Sequence, residues 1–267
     1  MSGTAAASSA PAALITGASS GIGEAFARAL SRKGYRLILA SRRRERLEKL
    51  AEQLPPADVL TADLAEDAGL RDVEARVMDE PRLEFLINNA GFGITGSFPD
   101  TDREALARMH RLHITAVMRL THASLAGMAV RGKGTIINVS SVAGFLAAPG
   151  SVGYCSTKAW INRFTEGVHL ELKASRSPVR IQALCPGFTH SEFHDIAGMD
   201  RESIPRFFWM TAEKVVDVSL ESLNRNSLFV VPGRRYRFFL ALHHFLPRRL
   251  GHAIAINYSR RIHRSST

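Results

Sequence analysis

The sequence predicts an α/β fold: a doubly wound parallel sheet of about seven strands with helices on both faces, followed by a basic helical C-terminal extension. Three observations carry this expectation. Apolar runs of strand length alternate with helix-length periodic segments along most of the 267 residues. The runs are mainly apolar at successive positions, as strands covered on both faces require. A glycine-rich turn follows the first run and opens the first periodic segment, the start of a βα unit.

Strands are expected at Ala12–Thr16, Arg36–Ser41, Asp58–Ala62, Leu83–Asn88, Thr135–Ser140, Arg180–Cys185 and Leu228–Val231. Helices are expected near 22–32, 43–54, 66–79, 102–131, 152–174 and 212–225. Right-handed crossovers make such a sheet doubly wound, and its ligands bind beyond the carboxyl ends of the strands. Residues 1–11 read as a flexible Ala/Ser-rich tail, 12–232 as a dinucleotide-binding catalytic domain, and 233–267 as the extension. There is no run of 18 apolar residues and no signal-peptide pattern, and Cys155 and Cys185 are the only cysteines. A reducing, cytoplasmic setting is the expectation, and no metal-ligand spacing is present.

The first strand runs into Gly17-Ala18-Ser19-Ser20-Gly21-Ile22-Gly23. Gly17 suits a tight turn, Gly21 lets backbone approach a pyrophosphate, and Gly23 lets the helix pack closely. Free amides at the helix start, with Ser19, Ser20 and Ile22 around them, attract phosphates. The second strand ends in Ser41-Arg42-Arg43-Arg44 with no acid. Arg42 can pair with a 2′-phosphate and Ser41 can hydrogen-bond it, so NADP(H) is expected over NAD; Arg43 and Arg44 read as the start of a solvated helix.

Tyr154 and Lys158 stand four residues apart, on one face of a helix. A cation beside a phenol favours the phenolate and equips it for acid–base work. Ser141 follows the fifth strand and could hydrogen-bond a carbonyl oxygen, stabilising developing negative charge.

With these pieces in place the chain resembles the short-chain dehydrogenase/reductase family, in its single-domain, Rossmann-fold branch. The resemblance rests on Thr16-Gly17…Gly21-Ile22-Gly23, Asn88-Asn89-Ala90-Gly91, Ser141…Tyr154…Lys158 and Cys185-Pro186-Gly187, in the family's order over residues 12–232. It implies that Tyr154 exchanges a proton with a carbonyl or alcohol oxygen, that Lys158 lowers the phenol pKa and holds a ribose, and that Ser141 orients the substrate. It implies that Asp63 and Leu64 border an adenine, that Asn89 lies along the adenosine ribose, and that Thr189, with Ser191, holds a carboxamide. Asp63 also suits a helix N-cap. One position departs from the family: His113 stands where an asparagine usually supports a proton relay. The imidazole is read either as a member of that relay or as a packed side chain.

The segment 190–210 is expected to cover the substrate. Phe193, Ile196, Met199, Phe207, Phe208 and Trp209, with Phe92, Phe145 and Leu146 from other loops, make the region apolar, which suits a lipid-, steroid- or aromatic-like ketone or alcohol. Packing of Phe207–Met210 beneath that cover is the plainer alternative.

The net charge of +10 is concentrated near the end. No acid follows Glu221, whereas nine arginines do, beginning at Arg225. Between them, Tyr236–Leu246 is rich in Phe and Leu. This suits a helix packed on the fold or at an interface, or peripheral membrane contact through 234–267. A nucleic-acid partner is not expected, since no base-reading motif is present. The resemblance implies a homodimer or homotetramer through the long helices. The competing reading is a catalytically weak dinucleotide-binding regulator or membrane-associated protein.

Overall fold

A computed structural model describes residues 10–193, 204–247, 249–253 and 255–257. Strands β1 (Ala12–Thr16), β2 (Arg36–Ser41), β3 (Ala57–Thr61), β4 (Leu83–Asn88), β5 (Thr135–Val139), β6 (Arg180–Leu184) and β7 (Phe229–Val230) form one parallel sheet in the order β3-β2-β1-β4-β5-β6-β7. The expected strands are present; β3 begins one residue earlier than expected and β7 is shorter.

Alternate strand residues feed two apolar layers. Ala13, Ile15, Leu37, Leu39, Ile87 and Ile137 pack with α1 (Gly21–Arg32), α2 (Arg44–Gln53) and α7 (Ala212–Ser222). Leu14, Ile38, Leu86, Ile136 and Ile181 pack on the opposite face with α3 (Asp67–Met78) and α5 (Val117–Arg131), beside Val168 and Leu172 of α6 (Val152–Ala174). Both faces of the sheet are therefore covered, which is why its strands carry apolar residues at successive positions.

The expected helix over 102–131 is three pieces: α4 (Arg103–His110), a π-helical segment Arg111–Ala116, and α5. Asp102 caps α4, accepting from the amides of Glu104 and Ala105. Helix α3 starts at Asp67 with Glu66 as its N-cap, so Asp63 is not the cap; its carboxylate accepts from Ala65 in the turn before the helix.

Two polar clusters sit inside this frame. Asn88 donates to Thr121 and Asn138, and Asn138 donates to Thr165, joining β4, β5, α5 and α6 by bonds of 2.9–3.1 Å. Burying such groups is tolerable because each finds a partner. Glu80, only 4% exposed, pairs with Arg36 and with Arg76, the latter at 2.7 Å. Burial alone would raise the Glu80 carboxyl pKa, but the two guanidinium hydrogen bonds win and hold it below its ordinary value.

After β7, α8 (Arg234–Phe245) forms the first part of the extension. Tyr236 is its buried foot, 7% exposed, whereas Phe238, Phe239, Leu242 and Phe245 are exposed. Residues 249–253 and 255–257 are again helical. No helix among the described residues is long and apolar enough to cross a membrane.

Candidate active site

The strand order reverses between β1 and β4, and a crevice is expected where two neighbouring strands send their chains opposite ways. The glycine turn lies there. Gly17 has φ +64°, and a Cβ on it would come within 2.9 Å of Ala90 Cα. A Cβ on Gly23 would lie 2.2 Å from the Gly17 carbonyl and 2.5 Å from Asn89 Nδ2. Gly17 and Gly23 thus have no room for a side chain, because the turn packs closely on the Asn89–Ala90 loop. Ser20, the N-cap of α1, makes no side-chain cap bond, so the head of that helix keeps amides for an anion. These features fit a dinucleotide pyrophosphate.

Several residues expected to touch that dinucleotide play supporting parts. Asn89 turns its amide into the loop, donating to the carbonyls of Thr16 at 2.9 Å and Gly17 at 3.2 Å. Leu64 is buried, 6% exposed, in the apolar layer beneath α3. Ser41 accepts from the Arg43 amide at 3.2 Å. Thr189 is buried and donates to Gly187 O at 3.1 Å. Arg42 stays open to solvent, 65% exposed, with Asp63 3.7 Å away. Asp63 also takes Arg108 at 2.8 Å. Burial would raise its pKa, but the Ala65 amide and the Arg108 guanidinium hold the carboxyl below its ordinary value.

Arg43 does not begin a solvated helix. It precedes α2 and folds back over the glycine turn, Nε donating to Ser19 Oγ at 3.0 Å and Nη2 to Ser20 Oγ at 2.7 Å. Its Nη1 pairs with Glu192 at 2.6 Å, and Arg46 pairs with the same carboxylate at 2.7 Å. Nothing in the local sequence marked Arg43 out. The signal lies in tertiary structure: two serines of one turn meeting a guanidinium from the next strand end.

Beyond β5 and on the first turns of α6, the three expected groups converge. The Ser141 hydroxyl lies near enough to the Tyr154 phenol to pull its pKa down. Lys158 Nζ lies 5.7 Å from the Tyr154 ring centroid and donates to Val139 O at 2.9 Å. Ser141 is held in turn by the Ala143 amide at 3.1 Å and reaches Pro186 O at 3.4 Å. Burial pushes the Tyr154 phenol well above its ordinary pKa, against the pull of Ser141, and pulls Lys158 down to about 8. Desolvation thus sets the direction of the phenol's shift, opposite to the lowering expected from the lysine. The phenol therefore stays protonated, able to give a proton, while Lys158 remains charged below about pH 8.

His113 is 1% exposed within the π-helical segment. Its Nδ1 lies 2.9 Å from Thr157 Oγ1, and its Nε2 accepts from the Phe92 amide at 3.3 Å. Of the aromatic cover, Phe193 meets Tyr154 with ring centroids 5.6 Å apart. Phe92 lies against His113 at 6.3 Å. Phe145 packs on Phe229, away from the phenol, at 5.6 Å. Phe208 packs against Tyr236 and Trp209 stacks on His190, so this part of the segment forms the base of the cover. Ile196 and Met199 lie outside the described residues. Tyr236 was not expected at the site. Its hydroxyl accepts from the Phe188 amide at 2.9 Å and donates to Phe208 O at 2.7 Å.

This geometry agrees with what comparison finds. A family model for short chain dehydrogenases matches residues 11–201. A short-chain dehydrogenase from Sphingobium yanoikuyae, solved in complex with NADPH, is 33% identical, with a TM-score of 0.79 and 96% of each chain covered. The bulky-bulky ketone specific alcohol dehydrogenase from Comamonas testosteroni is 31% identical, with a TM-score of 0.74 and 96% of this chain and 94% of that one covered. The very-long-chain 3-oxoacyl-CoA reductase of Anas platyrhynchos is 28% identical over 225 residues, 80% of this chain and 69% of that one. The chain belongs to the short-chain dehydrogenase/reductase family, and it is an oxidoreductase with that family's nucleotide-binding Rossmann fold.

Proposed function

We propose that this protein is an NADP(H)-dependent oxidoreductase that interconverts an apolar ketone or aldehyde with its alcohol through Ser141, Tyr154 and Lys158. The single observation that carries the reading is the nearness of Ser141 and of the Lys158 ammonium to Tyr154, at the same carboxyl edge of the sheet as the glycine turn. Gly17, Ser19, Ser20, Gly21, Ile22 and Gly23 would cradle the pyrophosphate, and Arg42 with Arg43 would meet a 2′-phosphate. The relative bound to NADPH supports that cofactor, and the neighbour that takes bulky ketones supports an apolar substrate. Phe92 and Phe193 would contact that substrate beside Tyr154.

A bound nicotinamide supplies or accepts the hydride. The chain's own work is on the proton. In reduction Ser141 donates a hydrogen bond to the carbonyl oxygen and Tyr154 gives that oxygen its phenolic proton. Lys158, one hydrogen already on Val139 O, keeps two more for the ribose hydroxyls and stabilises the phenolate left behind. NADPH consumption against a panel of apolar ketones tests the reading. Turnover that survives intact in Tyr154→Phe sinks the mechanism, and tight NADPH binding with no turnover on any substrate would favour a regulator.

A second element of the reading concerns contacts. We assign residues 12–232 to catalysis and 233–267 to surface contact in a cytoplasmic protein. The outward apolar side of α8, beside Arg234, Arg235 and Arg237, suits a second copy of the chain in a homodimer or homotetramer, or the surface of an anionic membrane. Sedimentation with and without anionic liposomes separates the two: pelleting that salt abolishes means lipid, and a salt-resistant dimer without pelleting means self-association.

A further inference from the structure

Hydrogen-bond bookkeeping at His113 fixes the state of its imidazole. The Phe92 amide can only donate, so Nε2, 3.3 Å away, must offer a lone pair. Thr157 has one hydroxyl hydrogen and spends it on Tyr154 O at 3.0 Å. Its oxygen must therefore accept from Nδ1, 2.9 Å away, and Nδ1 must carry hydrogen. Two independent partners demand the same tautomer. An imidazolium would set N–H against N–H at Phe92, in a buried place that already holds Lys158.

The ring also fits a made-to-measure space. A Cβ on Gly91 would lie 2.7 Å from Nε2, so only glycine at that position admits the imidazole. A chain of hydrogen bonds then runs from the glycine turn to the backbone of Tyr154. Asn89 and Ala90 are bonded to Thr16 and Gly17; Phe92, three residues along, is bonded to His113; His113 is bonded to Thr157, and Thr157 to the peptide of Tyr154.

We propose that His113 is a positioning residue: a neutral, Nδ1-protonated bridge that holds the Gly91–Phe92 loop against the Tyr154 peptide and relays no proton. It rests on the reading of Tyr154 as proton donor, but the tautomer does not. The titratable and charged groups facing the ring are Tyr154 and Lys158 on α6 and His110 one turn earlier on α4. Burial first, then the Lys158 and His110 charges, hold its pKa well below the ordinary histidine value.

Nitrogen NMR of the histidine-labelled full chain tests the tautomer directly, with and without NADPH. A protonated Nδ1 and a bare Nε2, unchanged from about pH 5.5 to 9 around the ordinary histidine pKa, is the expected result. Titration in that range, or hydrogen on Nε2, overturns the proposal. Kinetics give a second reading. His113→Phe and Thr157→Val should each lower kcat by between about ten- and a hundredfold through misplacement of Tyr154. The double variant should be no worse than the weaker single one, because both cut one bridge. The pKa values governing kcat/KM should stay in place. Loss of one of them in His113→Phe, or rescue of that variant by added imidazole, would mean that the ring carries protons. If the wild-type tautomer is as expected while Tyr154→Phe remains fully active, the functional reading fails and the structural bridge stands.

Discussion

Glu192 sets a carboxylate oxygen 2.6 Å from Nη1 of Arg43, the guanidinium whose Nη2 lies 2.7 Å from Ser20 Oγ. Hydrogen bonds from Arg43 and then Arg46 hold that carboxyl down to about 2, so it is charged throughout the working range. A dinucleotide phosphate arriving at the turn would meet Arg43 already engaged by another anion. Replacing Glu192 with Gln removes the rival charge. NADPH affinity should rise by about two- to fivefold, the size expected of an exposed ion pair. Fluorescence titration at low and high salt checks this. The gain should shrink as salt screens the contact, and a loss of affinity would mean that Glu192 supports the bound state.

Arg42 and Arg43 should differ in what they read. Arg42 is open and near Asp63; Arg43 is bonded to the serines of the turn. Arg42→Ala should weaken NADPH by about ten- to a hundredfold, the value of a charge-assisted bond, and NADH much less. Arg43→Ala should weaken both cofactors, since it also loosens Ser19 and Ser20. Equal loss of NADPH and NADH in Arg42→Ala would move the 2′-phosphate away from that residue.

Tyr154→Phe should cut kcat by about a hundred- to ten-thousandfold, the range for a lost general acid, with NADPH binding retained. Lys158 gives a pH signature. With its pKa pulled down to about 8, it is charged below that pH and neutral above. In the free enzyme, kcat/KM for reduction should fall as pH rises through that value, and Lys158→Met should lose the inflection. Stability has the opposite slope. Between about 8 and the ordinary 10.5, the unfolded chain binds the proton that the folded lysine has released, so this group favours folding increasingly as pH rises. Thermal denaturation of wild type and Lys158→Met across that window reads the difference.

The Glu80 cluster should dominate one edge of acid stability. Glu80→Gln leaves Arg36 and Arg76 without their buried partner, and about 2–4 kcal/mol of stability should be lost, toward the low end for a buried pair because Asp58 still serves both arginines. The carboxyl pKa is lowered in the folded protein, so its contribution is complete above the ordinary 4.5 and disappears as pH falls through the folded value. Denaturant unfolding at neutral and acid pH should show the variant's deficit narrowing with acid.

Much of this molecule can be read in its residues, and what cannot has a physical reason. Leu14-Ile15, Ile38-Leu39 and Ile136-Ile137 declare buried strands because both sheet faces demand apolar side chains. Helical spacing is enough to expect Tyr154 and Lys158 side by side on α6, as they are, whereas a role for them rests on the whole set of motifs. The π-helical segment does not declare itself: residues 103–131 keep a helical pattern, and the partners of the His113 ring within it lie in other elements. Arg43 was hidden for the same reason, since the neighbours that give it purpose are 23 and 149 residues away. Asn89 and Leu64 stand at the expected strand ends, and the structure adds that their side chains turn into the protein. Strand-end placement specifies the loop, whereas the direction of a side chain depends on its packing.

The bond from Tyr236 to Phe188 and Phe208 makes the C-terminal extension mechanically continuous with the loop that follows β6. Gly187 is part of that joint, since a Cβ there would fall within about 2 Å of the Tyr236 ring. Under the proposed function, whatever binds the outer side of α8 would therefore bear on the loop that borders the substrate. If that binding and the proposed substrate site both hold, changes at the chain's periphery would retune which molecules are admitted without altering a single reacting atom.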